Sequence, residues 1–154
     1  MRIEPMTRED FLLVLDDLVP FWGSDRTRAQ HLPPMFHELG DTALAARVDD
    51  RLVGYLMGFV SQRRPVGYVH LVAVREGHRG AGVARGLYAR FAEVVAARGA
   101  TGLAAITSPG NRASIAFHRA MGFTDGVVAD HAGRGQDRVV FRGPIDLAPS
   151  QGVR

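Results

Sequence analysis

Arg79-Gly80-Ala81-Gly82-Val83-Ala84 is the stretch of this sequence best suited to chemistry. It follows a run of strand character, Tyr68–Val74, and a turn through Arg75-Glu76-Gly77-His78. The pattern predicts a helix entered at Arg79-Gly80. Backbone N–H groups in a first helical turn have no partner inside the helix, and the helix dipole adds partial positive charge there. Gly80 and Gly82 carry no side chain, so a phosphate can sit against bare backbone with Arg79 beside it as a cation. Two other uses stay open. A dinucleotide loop would read G-x-G-x-x-G, but the glycine after Gly82 is Gly86, one position late, and Gly99–Thr107 holds no Asp or Glu for a ribose. The turn could also serve only as a helix start.

Other residue types add candidates. Period-two alternation places His70 on one strand face with Tyr68, Val72 and Val74. An imidazole titrates near neutral pH and suits a general base; a core histidine with both nitrogens satisfied is the competing use. Asn111 precedes a helical stretch and can cap it. Phe21 and Trp22 can line an acceptor pocket or pack in the core. His31 and His37 lie in a proline-broken segment with no H-E-x-x-H, so no metal is expected. No G-x-S-x-G elbow is present. Cysteine and lysine are both absent, all 19 basic residues being Arg. That removes thiolate nucleophiles, Schiff-base lysines and the P-loop lysine.

Arg79-x-x-Gly82-x-Ala84 after a strand resembles the acetyl-CoA signature Q/R-x-x-G-x-G/A of the GCN5-related N-acetyltransferase (GNAT) family. Asn111, then Phe117-His118-Arg119-Ala120-Met121-Gly122-Phe123, resembles that family's later N…F-Y-x-x-x-G-F segment, in the family's order. The resemblance implies acetyl-CoA as co-substrate. It implies that Val72, Ala73 and Val74 offer strand backbone to the pantetheine amides. Arg79, Gly80, Ala81, Gly82, Val83 and Ala84 would hold the pyrophosphate, with Arg75 and Arg112 as further contacts or plain surface. Asn111 would touch the cofactor while capping its helix, and Phe117 would touch it or fill core. The family's usual residue at His118 is Tyr, thought to protonate the departing CoA thiolate. His118 is expected as that acid, with a surface histidine as the alternative and Tyr88 or solvent as substitutes. Arylalkylamine members carry histidines at positions matching Tyr68 and His70, so His70 is expected as the general base.

These groups need elements to position them. Strands are expected at Arg2–Pro5, Thr42–Asp49, Arg51–Val60, Tyr68–Val74, Leu103–Thr107, Phe123–Ala129 and Arg138–Arg142. A helix from Arg8 to about Val19, ended by Pro20, would bury Phe11, Leu12, Val14, Leu15 and Leu18. A second runs from about Thr27 to Leu39, interrupted at Pro33-Pro34; others cover Gly80 to about Arg98 and Arg112–Met121. The order is that of an α/β (α+β mixed) sandwich. The resemblance sharpens it to a mixed, mostly antiparallel sheet of about seven strands flanked by helices, splayed between the fourth and fifth. Residues 1–143 form one expected domain, with 144–154 a loose tail.

Bulk properties bound the rest. The chain has 154 residues, enough for one domain with a real core. Its net charge of +3 is too mild for a nucleic-acid footprint. Its apolar runs fall short of a bilayer span, and Met1–Asp10 shows no signal-peptide pattern, so no membrane partner and a cytoplasmic location are expected. A small-molecule amine is the expected acceptor, its pocket built from Pro20–Gly40 and the Ala129–Asp137 loop. A homodimer is left open. Two competing readings are a non-catalytic acyl-CoA-binding module and a nucleotide-binding protein.

Overall fold

A computed structural model describes residues 1–147. Seven strands form one sheet in the order β1-β2-β3-β4-β5-β7-β6. They are β1 (Arg2–Pro5), β2 (Leu44–Val48), β3 (Arg51–Val60), β4 (Val66–Val74), β5 (Gly102–Thr107), β6 (Thr124–Val128) and β7 (Arg138–Pro144). Only β4 and β5 run parallel; every other neighbour pair is antiparallel. Helices α1 (Arg8–Asp16), α2 (Val19–Trp22) and α3 (Pro33–Leu39) cover one face, while α4 (Val83–Ala96) and α5 (Arg112–Ala120) cover the other.

Each face has its own core. Val83, Leu87, Phe91 and Val95 recur along α4 at helical spacing and pack on Val53, Leu56 and Val69 of the sheet. Burying each such side chain is worth roughly 1.5–3 kcal/mol. The helix lies close because β3 and β4 thin out beneath it: a Cβ on Gly58 would stand 2.7 Å from the Phe91 ring. On the other face Phe11, Val14, Leu18 and Phe21 meet Tyr55, Met57 and Leu71. The buried stripe on α1 is therefore Phe11, Val14 and then Leu18 beyond its end, and Leu12 is 40% exposed rather than buried. A capping box opens α1, the Thr7 hydroxyl accepting from the Asp10 N–H while the Asp10 carboxylate accepts from the Thr7 N–H. Arg47 on β2 also pairs with Asp10 and so ties α1 to the sheet.

Several boundaries differ from the expected ones. The first helix stops at Asp16, not Val19, and Pro20 starts a helix instead of ending one. Proline fits a first helical turn, where its missing N–H is not needed. The expected helix from Thr27 to Leu39 is two pieces, a 3-10 turn at Arg26–Gln30 and α3, with Pro33-Pro34 in the opening turn of α3. The Gly80 helix begins only at Val83, because Gly80 and Gly82 both take positive φ. The strand Asp49 was placed in ends at Val48, leaving Asp49 and Asp50 as a two-residue turn with positive φ at both. Pro144 belongs to β7, and Ile145 and Leu147 pack against the core, so the expected tail does not begin at 144. The remainder of that tail, 148–154, lies outside the described residues.

Candidate active site

The sheet opens where β4 and β5 part. Their ladder runs from Val66↔Gly102 to Val69↔Ala105 and stops, although β4 continues to Val74 and β5 to Thr107. The gap is part of a cavity of about 790 Å3, walled by β4, the ends of β5 and β7, α4, α5 and the Arg26–Gln30 turn. The backbone of β4 along this gap is partly free. Arg75 N donates to Val53 O on β3 at 2.8 Å, and antiparallel pairing alternates residue by residue. The N–H and C=O groups of Val72 and Val74 therefore face the gap, and those of Ala73 face Tyr55 on β3. Of the three residues expected to offer backbone, two are turned to do so.

Beyond β4 the chain forms the glycine turn. The N–H groups of Gly80, Ala81 and Gly82 donate to no main-chain carbonyl among the described residues. Gly82 sits at the N-cap of α4 with φ +79°, and a Cβ built on Gly80 or Gly82 would meet nothing within 4 Å. Bare donors, open space and a helix start together suit a diphosphate. Val83 is buried beneath the turn and Ala84 lies on the cavity wall. Arg79 is differently employed. Its guanidinium donates to Val74 O at 3.2 Å and to Phe21 O at 2.8 Å, bracing the end of β4 against α2. Arg75 stacks its guanidinium 4.6 Å over the Phe21 ring. Phe21 is core, whereas Trp22 lines the cavity.

His70 owes its position to a β-bulge. Met57 pairs with Leu71 and Gly58 with Val69, so His70 has no residue opposite. The bulge also reverses the alternation that the sequence implies. Leu71 and Ala73 turn toward the α1–α3 side, and Val72 and Val74 pack on the α4 side, away from His70. The His70 Nε2–H donates to Gln30 O at 2.9 Å, which leaves Nδ1 with the lone pair. The ring stands on the cavity wall with Tyr68 and Trp22.

His118 lies deeper. It is only 4% exposed and stacks on Phe141 at 3.9 Å. Its Nδ1–H donates to Ser114 O at 2.8 Å, so Nε2 accepts from the Tyr88 hydroxyl at 2.7 Å. Burial pushes the His118 imidazole below its ordinary range and the Tyr88 phenol far above its own. Both stay neutral at physiological pH, and both line the cavity. Phe117 packs edge-on to Tyr88 at 5.7 Å and reaches the same wall. Asn111 caps α5 through Oδ1, which accepts from Ser114 N at 3.1 Å, and the residue lies on the cavity wall.

A second buried relay went unnoticed in the sequence. Trp22 Nε1–H donates to Tyr55 Oη at 2.7 Å, and the Tyr55 O–H donates to His31 Nε2 at 2.7 Å. His31 Nδ1–H donates to Thr27 O at 2.8 Å. The chain fixes the Arg26–Gln30 turn to the sheet and thereby places Gln30 O against His70. Nothing in residue spacing signals it, because Tyr55 is far along the chain from both partners. Arg138, at the start of β7, also lines the cavity and was not singled out.

Comparison with known proteins gives the following. A family model described as Acetyltransferase (GNAT) family matches residues 11–123. An L-2,4-diaminobutyric acid acetyltransferase of Nocardia farcinica is 37% identical over 81 residues, 52% of this chain and 42% of that protein, so the match spans well under half of that relative. An aminoglycoside 6'-acetyltransferase type Ii superposes with a TM-score of 0.76 at 20% identity, covering 97% of this chain and 100% of that one. An aminoglycoside 6'-N-acetyltransferase complexed with coenzyme A gives 0.73 at 17% identity, covering 97% and 99%. A ribosomal-protein-alanine N-acetyltransferase from Brucella melitensis gives 0.67 at 24% identity, covering 94% and 99%. At these identities the structural likenesses carry the fold.

Proposed function

The chain belongs to the GNAT acetyltransferase family, and from that premise we propose that it transfers acetyl from acetyl-CoA to the primary amine of a small molecule. The observation that carries the reading is the opened sheet. A free edge of β4 leads into a turn whose N–H groups have no main-chain partners among the described residues, which suits an amide-bearing arm ending in a diphosphate. Val72 and Val74 would meet the arm; Gly80, Ala81, Gly82 and the first N–H groups of α4 would meet the diphosphate. The relative named for diaminobutyrate supports a small amine as acceptor.

The acceptor arrives as ammonium and must lose a proton before its nitrogen can attack the thioester carbonyl. His70 Nδ1 takes that proton, directly or through water, while the Gln30 carbonyl holds the opposite tautomer in place. Cleft-facing N–H groups of β4 polarise the carbonyl as the oxyanion forms. The C–N bond forms, the attacking nitrogen releases its second proton to solvent, the C–S bond breaks, and the thiolate leaves. His118 holds the Tyr88 hydroxyl in place and is not itself the acid, since its Nε2 accepts from that hydroxyl and burial disfavours its charged form. The Tyr88 hydroxyl can turn from Nε2 and donate a hydrogen bond to sulfur, and solvent supplies the final proton. No covalent enzyme intermediate is invoked, the chain having no cysteine.

Release of free thiol from acetyl-CoA across a panel of small amines tests the reading. Turnover with at least one amine is expected, and His70→Gln should lower kcat by about 100-fold or more. A buried, neutral His118 favours one alternative, a module that binds acyl-CoA without transfer. Tight acetyl-CoA binding with no thiol release on any amine would establish that alternative instead.

A further inference from the structure

We propose that Arg138 binds a carboxylate on the acceptor, so that the amines accepted are those of amino acids and related amino-carboxylates, not of polyamines. The inference rests on the acetyl-transfer reading of the same cavity. Val139 and Phe141 of β7 belong to the core beneath α4 and α5. Strand alternation therefore turns Arg138 to the opposite face, the one on which His70 meets Gln30. Arg138, His70, Trp22 and Gln30 all line the cavity.

The charges there are one-sided. No Asp or Glu lines the cavity among the described residues. Arg138 donates once, from Nη1 to Asp137 O at 2.8 Å, and forms no salt bridge among the described residues. Its other N–H groups are available. Arg79, the other arginine on the wall, is committed to Val74 O and Phe21 O. The glycine turn at the start of α4 offers its own main-chain N–H groups to a diphosphate. A guanidinium offers two parallel donors that match a carboxylate, and charge-assisted bonds of this kind are the strong ones. An acceptor with a second ammonium would meet an unmatched cation instead.

The test compares each amino acid with its own decarboxylated amine: ornithine with putrescine, and phenylalanine with phenethylamine. Titration calorimetry in the presence of CoA reads binding without turnover. Wild type should bind the amino acid of at least one pair at least about 10-fold more tightly. Arg138→Gln should erase that preference with CoA affinity unchanged, and Arg138→Glu should reverse it toward the diamine. Equal binding within both pairs, or a preference that survives Arg138→Gln, overturns the carboxylate site. Thiol release from acetyl-CoA is read separately. Amino acids that bind through Arg138 yet release no thiol would leave the carboxylate site standing and remove the transfer reading.

Discussion

His31 and His118 sit on opposite faces of the sheet and share one arrangement. In each, Nδ1–H donates to a main-chain carbonyl and Nε2 accepts from a buried tyrosine hydroxyl. Desolvation lowers both imidazoles below their ordinary value of 6.5. The unfolded chain therefore binds their protons more readily than the folded one. The stability these neutral rings allow is fully present above about pH 6.5 and is lost as pH falls through the lowered folded values. Each should add a slope of up to about 1.4 kcal/mol per pH unit in that window. His118→Phe and His31→Phe should each flatten the pH dependence of unfolding free energy between pH 7 and 5, measured by urea titration. An unchanged slope would mean the ring titrates alike in the folded and unfolded chain. Residue types at His70, His118 and Asn111 were readable in the sequence. Their protonation and partners were not, since the Tyr88–His118 bond joins two helices and the bulge at His70 exists only once β3 pairs with β4.

Among elements, the glycine turn is the most legible and also the one whose boundary moved. Gly80 and Gly82 were picked out for their missing side chains, and the same glycines delay α4 to Val83 by taking positive φ. Local propensity alone shows a glycine-rich helix start; the left-handed turn depends on where β4 ends and α4 must dock. Gly82→Arg should abolish measurable acetyl-CoA affinity by filling the space in front of the N–H groups. Gly82→Ala separates blockade from backbone strain: its Cβ meets nothing within 4 Å, so it should cost only the left-handed strain of roughly 1–2 kcal/mol. Calorimetry with both variants checks this, and wild-type affinity in Gly82→Arg would move the diphosphate elsewhere. Pro20 shows the converse limit. A proline reads as a helix end or as a helix start, and here it stands in the opening turn of α2, whose Phe21 packs under Arg75.

For the whole molecule, a mixed sheet of about seven strands with a splay between the fourth and fifth was expected from two short motifs, because those motifs lie at the ends of β4 and α5 that frame the gap. The acceptor pocket was expected only as two segments, Pro20–Gly40 and Ala129–Asp137; Trp22, Thr27, Gln30 and Ala132 of these line the cavity, but which residues turn inward, and Arg138 just beyond, have no local signature. Two cores separated by one sheet meet at this gap, so a ligand there should stabilise both. Acetyl-CoA at about 100 times its Kd should add about 2.7 kcal/mol, a rise in Tm of roughly 5–10 °C for a chain of this size. A thermal-shift series in acetyl-CoA, against ATP and NAD, reads it; a larger rise with either nucleotide would reassign the cleft.

The ladder that stops at Val69↔Ala105 leaves a sheet with a place for one more strand along half its length. A donor arm that carries amides can fill that place as β-augmentation does, recognised by main chain alone. Main-chain recognition survives substitution of the side chains around it. The acyl donor can thus stay constant while Trp22 and Arg138 are free to vary, which is how one scaffold can keep its currency and change its customer.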